Sequence, residues 1–117
     1  MSWGFEVIDW SRVAELHEEV GDDALAEVLD LFASEVDEGL MRLAEAKSPK
    51  ALAAEFHFLK GAALNLGLDE VARLCATGET AAMAGQPTAA ERAAIAQHFP
   101  ECCQMLRAQW RVRLGVA

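Results

Sequence analysis

Apolar residues recur every three or four positions along most of the chain, whereas no stretch alternates apolar and polar residues between turn signals. A repeat of three to four positions is the period of an α-helix that buries one face, and strict alternation is the period of a half-buried strand. The pattern therefore predicts an all-α protein.

Two apolar seams in the first part of the chain predict a short helix followed by a long one. The short helix is expected to begin after Asp9, a residue suited to an N-cap, and to end at Gly21, which can adopt the left-handed conformation that stops a helix. The long helix follows an acidic turn and carries its apolar stripe from Leu25 to Leu43.

A third helix is predicted with Ser48 as its N-cap and Pro49 at the first helical position, where the missing N–H of proline does no harm. This helix should run to about Leu66, and Gly67 suits its C-terminal end. Asp69 is expected to cap a fourth helix.

The last helix is predicted after the polar break "AGQPTAAE", where Thr88 and Glu91 have the spacing of a capping box. Its apolar stripe continues to Leu114, and Pro100 is expected to kink or split the helix.

Four sizeable helices with short connections predict an antiparallel four-helix bundle, with the short additional N-terminal helix laid across one end. We expect residues 1–117 to form a single domain. Trp3 and Phe5 could cap this bundle or join two copies of the chain, so the oligomeric state is open.

Composition narrows the class of protein. Hydrophobic residues make up 53% of the 117 residues, enough for one sizeable core, but no run approaches the roughly 18 apolar residues of a membrane span. The opening residues lack a basic start followed by an apolar stretch, so we expect no secretory signal and a cytoplasmic location. The net charge of −9 argues against nucleic acid as a partner, because Lys and Arg contacts to phosphates carry such binding.

Cysteine and histidine spacing gives no sign of a metal site. Cys75, Cys102 and Cys103 are odd in number and lack a C-x-x-C pair, and the three histidines lie far apart in the sequence. The cysteines fall at apolar positions of the helical pattern, so we interpret them as core residues in a reducing compartment. We expect no metal and no cofactor held by the chain itself.

The third helix is expected to turn one histidine away from its apolar side. At about 100° per residue, His57 lies about 160° from Leu59, which puts the imidazole on the solvent side. Gly61 lies about 40° from His57, although alanine would stabilise a helix interior by roughly 0.5–1 kcal/mol more. A bare position beside the imidazole indicates close approach of another molecule, and tight helix packing is the alternative.

Other residues of this face support a role in group transfer. Lys60 would bring a positive charge beside an anion held at His57, and Lys50 lies two turns earlier. Ala53 and Leu64 would form a small apolar rim suited to docking a partner helix. Neutral histidine is a workable nucleophile near physiological pH, and phosphoryl is a covalent group that needs a nearby cation. A surface histidine without a specific role is the alternative.

The segment "HFLKGAALNLGLDEVARLC" resembles the signature of the histidine phosphotransfer domain family, which has His, Lys at +3, Gly at +4 and Gly at +10. The stretch "IDWSRVAELHEEVGDDALAEVLDLFASEV" is similar to the usual opening of that family, with a short helix, a turn and a long second helix. Two positions depart from the pattern: Ala62 stands where the family often has Ser, and Gly78 stands where a leucine is common.

The resemblance implies a function for each matching residue. His57 would be the phosphoacceptor, Lys60 the charge partner of the phosphoryl group, and Gly61 the gap through which a partner reaches the imidazole. Gly67 would help to end the helix, and Asn65 either contributes to binding or only ends the helix.

The resemblance also implies partners: response regulator receiver domains, which would bring Mg²⁺, and a sensor or hybrid histidine kinase. The protein would be a phosphocarrier without an ATP site of its own, in agreement with the lack of a Gly-rich phosphate loop. Two alternatives stay open, a helical-bundle adaptor without covalent chemistry and a domain cut from a larger hybrid or chemotaxis-type kinase. The sequence leaves the kinase, the receiver, the direction of phosphate flow and the output pathway undetermined.

Overall fold

The computed structural model describes residues 8–116 and contains four helices in this range. They are α1 (Trp10–Glu45), α2 (Pro49–Asn65), α3 (Asp69–Met83) and α4 (Ala89–Arg113). No strand occurs in this part of the chain, so the all-α prediction is confirmed. None of the four helices is both long and apolar enough to cross a membrane. Trp3 and Phe5 lie outside the described residues.

A sharp break at Gly21 divides α1 into a short segment (residues 10–20) and a long one (residues 22–45). The backbone of Gly21 has φ 86° and ψ 173°, a region almost reserved for glycine because a Cβ would clash there. The side chain of Asp9 caps the short segment by accepting hydrogen bonds from the Ser11 and Arg12 amides at 3.0 and 3.4 Å. The predicted short helix and long helix are thus both confirmed.

The four helices form an antiparallel bundle in which α1 packs against α2 and α4, and α3 packs against α2 and α4. The shared interior is apolar, and its largest fully buried side chains include Phe56, Leu59, Phe99 and Leu106. The buried set follows the periodicity of the sequence, because each helix turns one stripe inward.

The short segment of α1 lies across one end of the bundle. Its cap residue Asp9 donates its backbone N–H to the Gly67 carbonyl at 2.7 Å, and the His17 ring lies 5.8 Å from the Trp110 ring between centroids. Gly67 has φ 75°, and a Cβ on it would lie 2.6 Å from the Asp9 carbonyl oxygen. Glycine at this position therefore ends α2 and also lets the first helix approach.

One predicted N-cap, Asp69, is wrong, and a second, Thr88, is confirmed in position but not in its side-chain bonding. Helix α3 begins at Asp69 itself, with Leu68 as the N-cap, because the fully buried Leu68 side chain fixes the turn one residue earlier. The Asp69 carboxylate instead favours the positive end of the helix dipole from the first turn. Thr88 is the N-cap of α4, but it makes no side-chain hydrogen bond, so the capping box with Glu91 does not form. The Thr88 backbone has ψ 12° rather than the extended value that aims a cap hydroxyl at the helix amides.

Helix α4 continues through Pro100 without splitting. Proline removes one backbone hydrogen bond, but Phe99 and Cys103 on either side are buried and hold the helix against its neighbours. Cys75 and Cys102 are also fully buried, which confirms that the cysteines are packing residues.

Candidate functional site

Helix α2 presents His57 to solvent, as the sequence predicts. The His57 side chain is 68% exposed, whereas Phe56 and Leu59 on the opposite side of the helix are fully buried. Ser48 fixes the start of α2 by accepting a hydrogen bond from the Ala51 amide at 3.0 Å. The rotation of the helix therefore follows from its buried face, and the imidazole is left on the outside.

A carboxylate of α3 joins the two polar side chains of this face. Glu79 places one oxygen, Oε2, 3.1 Å from His57 Nδ1 and the other, Oε1, 2.9 Å from Lys60 Nζ. Lys60 and Glu79 are both partly buried. Glu79 is not among the predicted site residues, because it lies 22 positions after His57 and only the packing of α3 on α2 brings it close.

The hydrogen bond from Lys60 holds the pKa of Glu79 below its ordinary value of 4.5, and the charges of Lys60 and His57 act in the same direction against partial burial. Glu79 is therefore a carboxylate at neutral pH and can only accept hydrogen bonds. The nitrogen of His57 that faces it must carry the proton. The Nδ1–H tautomer leaves Nε2 with its lone pair, and within residues 8–116 Nε2 has no hydrogen-bond partner.

The surface beside the imidazole is bare at Gly61. This residue is exposed, and a Cβ built on it meets no side chain or neighbouring helix of the described chain within 4 Å. Tight packing therefore does not explain the glycine. A molecule that approaches His57 from this side finds the backbone of α2 without an intervening side chain.

One predicted member of the exposed rim is wrong. Ala53 is buried, at 6% exposure, whereas Ala54 is exposed. Ala53 and Lys60 lie about 40° and 60° to one side of His57 on the helix, the side that α3 covers, and Ala54 lies about 60° to the other side. The apolar rim is therefore displaced toward α1, and Ala54 takes the place expected for Ala53.

The other predicted binding residues lie on the exposed face of α2. Lys50 and Asn65 are exposed, and Leu64 is 52% exposed, which is high for an apolar side chain of this size. The Asn65 side-chain oxygen lies 3.5 Å from Arg12 Nη2 on the short segment of α1. Asn65 thus contacts the first helix in addition to ending α2.

Gly78 explains how α3 comes close enough for Glu79 to reach the site. A Cβ on Gly78 would lie 2.4 Å from Cε1 of the buried Phe56 ring. The ring occupies the space that a side chain at position 78 would need, so the two helices approach at this level. The departure from the family pattern noted at Gly78 therefore has a packing role.

A thiol lies beneath the ionic pair without adding a second nucleophile. Cys75 is fully buried, and burial raises its pKa to about 12 although the nearby Lys60 charge opposes the shift. The thiol therefore stays protonated. Among residues 8–116, no group of three or more His, Cys, Asp or Glu side chains is gathered as a metal site requires.

The fold and the site define a class of protein: a four-helix bundle with an exposed histidine that lies beside a lysine and a partly buried carboxylate. The model of the Hpt domain family matches residues 27–109. The chain therefore belongs to the Hpt domain family, and the resemblance of its sequence to histidine phosphotransfer domains is confirmed. Membership assigns it a phosphotransfer role in two-component systems, in which Hpt domains typically interact with receiver domains and histidine kinases. Among curated proteins and among solved structures, none matches this chain significantly.

Proposed function

We propose that this Hpt domain relays a phosphoryl group on Nε2 of His57, which it receives from a receiver-domain aspartate or a histidine kinase and passes to another receiver aspartate. The observation that carries the proposal is the imidazole itself: Nδ1 is 3.1 Å from an ionised carboxylate, and the side chain is 68% exposed with no described partner at Nε2. This arrangement fixes the tautomer that a nucleophilic Nε2 needs.

In the transfer step, the Nε2 lone pair attacks the phosphorus of an aspartyl phosphate. The Nε2–P bond forms, and the P–O bond to the aspartate breaks with its electron pair returning to the partner's carboxylate. The Nδ1 proton stays on the ring, which becomes positively charged. The Glu79 carboxylate neutralises this charge at 3.1 Å, and the reverse sequence of events discharges the phosphoryl group to the next aspartate.

Lys60 acts on the other side of the reacting group. Its ammonium has three N–H donors, of which one is engaged by Glu79 at 2.9 Å, so the others can bind phosphoryl oxygens. Lys50 and Leu64 extend the binding face, and the Mg²⁺ of the reaction would come with the partner receiver domain. The cytoplasmic location and the single domain over residues 1–117 stay predictions.

The test is phosphorylation of the purified protein by a panel of receiver domains that have been labelled with a small radioactive phosphodonor and Mg²⁺. We expect label on the wild-type protein and none on His57→Gln. The matched control is His98→Gln, a histidine of α4 that lies near Glu101, and it should be labelled like wild type. The bound phosphate should be labile to acid and stable to base, as a phosphoramidate of histidine is.

Label that persists on a correctly folded His57→Gln protein rules out this acceptor. A folded wild-type protein that takes label from no receiver domain and no histidine kinase favours the adaptor alternative instead. Circular dichroism separates both results from simple unfolding.

A further inference from the structure

We infer that Phe58, the residue after the histidine, is the apolar contact that selects the partner receiver domain. This inference rests on the proposed phosphotransfer function. Phe58 is 38% exposed, and its ring stands on the side of α2 that faces α1. The signature positions of the family, which are His, Lys at +3, Gly at +4 and Gly at +10, do not include it.

The Phe58 ring is held in a fixed orientation by the neighbouring helix. Gly39 of α1 lets the ring lie close, because a Cβ there would be 3.0 Å from Phe58 Cε2. The Arg42 guanidinium carbon lies 4.9 Å from the ring centroid, a cation–π distance, and Arg42 Nε donates to Glu55 Oε1 at 2.9 Å. An exposed aromatic ring with this support presents apolar area without a large loss of side-chain entropy on binding.

The surface between Phe58 and the reactive nitrogen carries only small residues. Going around α2 from His57, Gly61 lies at about 40°, Ala54 at about 60° and Phe58 at about 100°, all on the same side. Both intervening residues are small and exposed. A protein that reaches His57 across Gly61 therefore lies against the Phe58 ring, so this surface is continuous with the transfer site. We call it the α1 flank, made of Ala54, Phe58 and Gly61.

Charge around the α1 flank fits an anionic partner site. Lys50, two turns before His57, is exposed and forms no ion pair with another described residue. The Arg42 side chain is 44% exposed, so donors that Glu55 leaves unused can meet a second carboxylate. The occupant that fits is a receiver domain that presents an apolar side chain against Phe58 beside its carboxylate-rich phosphorylation site.

The experiment separates docking from chemistry with two phosphodonors. Phosphoramidate is a small donor that needs no docking surface: Nε2 takes the phosphoryl group, and ammonia leaves. Receiver domains from the labelled panel need the docking surface. For each donor we measure the rate of His57 labelling against donor concentration, in wild type, Phe58→Ala, Phe58→Leu and the control Val112→Ala. Val112 is 82% exposed in the last turn of α4, which packs on α1 and α3.

We expect Phe58→Ala to raise the KM for the receiver domain about tenfold while kcat changes less than about twofold, as for an interface hot spot. Phe58→Leu should restore most of the loss because it restores apolar area, and Val112→Ala should match wild type. Labelling by phosphoramidate should be the same in all four proteins. That equality also shows that Phe58→Ala remains folded around His57.

A Phe58→Ala protein whose KM for the receiver domain stays within about twofold of wild type overturns the inference and leaves the proposed function intact. An equal loss with both donors also overturns it, since Phe58 would then support the histidine rather than the partner. A wild-type protein that phosphoramidate and every receiver domain leave unlabelled defeats the proposed function itself. Labelling by phosphoramidate without exchange with any receiver domain defeats the choice of partner in both proposals.

Discussion

The two sides of His57 differ in almost every physical respect. On the α3 side, Lys60 and Glu79 form a partly buried ion pair that also reaches the imidazole. On the α1 side, Gly61 leaves an open surface that ends at the Phe58 ring. The α3 side is occupied by polar side chains, one of which is hydrogen-bonded to the imidazole. The α1 flank carries only small or apolar residues and is open to solvent.

This difference separates two demands that a single surface could not meet together. Fixing the tautomer and charge of an imidazole requires groups held at hydrogen-bond distance, which fill space. Admitting a partner aspartate to within bonding distance of Nε2 requires space without side chains. The helix meets both demands because the positions three and four residues after the histidine, Lys60 and Gly61, flank it on opposite sides.

Filling the open side should have the largest effect. In Gly61→Gln, a flexible polar side chain would stand about one turn from Nε2 on the path of the partner, and glutamine favours the helix more than glycine does. We expect the rate of phosphoryl transfer from a receiver domain to fall about a hundredfold, because the reacting atoms can no longer align. Stopped-flow or quenched-flow labelling measures this rate.

Transfer by Gly61→Gln at the wild-type rate would show that the partner does not reach Nε2 across position 61. Phosphoramidate labelling serves as the control for the histidine itself, and it should fall much less than transfer from the receiver domain.

Pushing α3 away from α2 should have the next largest effect. In Gly78→Ala, the new Cβ would lie 2.4 Å from the Phe56 ring, which is fully buried in the core. We expect the free energy of unfolding to fall by about 2 kcal/mol, the typical result of overpacking a core. Urea denaturation followed by circular dichroism measures the loss.

The matched control is Gly61→Ala, the same substitution on the open face of α2. It should raise the free energy of unfolding by about 0.5–1 kcal/mol, since alanine favours the helix and meets no neighbour. Equal effects at positions 61 and 78 would contradict the difference in packing between these two glycines.

Neutralising the ionic side should have a smaller effect on the rate. Glu79→Gln keeps a hydrogen-bond acceptor but removes the charge that balances the phosphorylated ring, and we expect a loss of about tenfold with either phosphodonor. The loss should therefore appear with phosphoramidate as well, unlike that of Phe58→Ala. Glu70→Gln is the control, because Glu70 pairs with Arg73 in the first turn of the same helix. A Glu79→Gln protein impaired only toward receiver domains would show that Glu79 contacts the partner.

The same variant tests the pKa of Glu79. Because the folded protein holds this pKa below 4.5, the charged carboxylate stabilises the fold above the ordinary pKa, and this contribution disappears as pH falls through the lowered value. The difference in free energy of unfolding between wild type and Glu79→Gln should thus be present at neutral pH and shrink below pH 4.5. A difference that does not change with pH would mean that the charge of Glu79 is irrelevant to stability.

Most of the fold could be predicted because local patterns determine it. The buried stripe of each helix, the stop at Gly21 and the caps at Asp9 and Ser48 depend on residues within a few positions of one another. The cap at Asp69 was misplaced because the buried Leu68 takes the N-cap position, and the Thr88 cap lacks its side-chain bond because Thr88 is itself buried with a ψ of 12°. A local pattern does not include such burial.

The candidate site could be predicted only where one helix contains it. The spacing of His57, Lys60 and Gly61 is a property of α2 alone. The choice between Ala53 and Ala54 as the exposed neighbour depends on which side α3 covers, and the contact of Glu79 with His57 depends on the same packing. Sequence periodicity determines which face of a helix is buried, but it does not determine which neighbouring helix lies on each flank.

The hydrogen bond between Asp9 and Gly67 bears on where the termini of an expressed fragment of this protein should be placed. A fragment limited to the family match at residues 27–109 would omit the entire short segment of α1, lose the backbone bridge between Ile8 and Leu68, and remove the buried Trp110 at the other terminus. Shortened or fused forms of this protein should therefore retain at least residues 8–114.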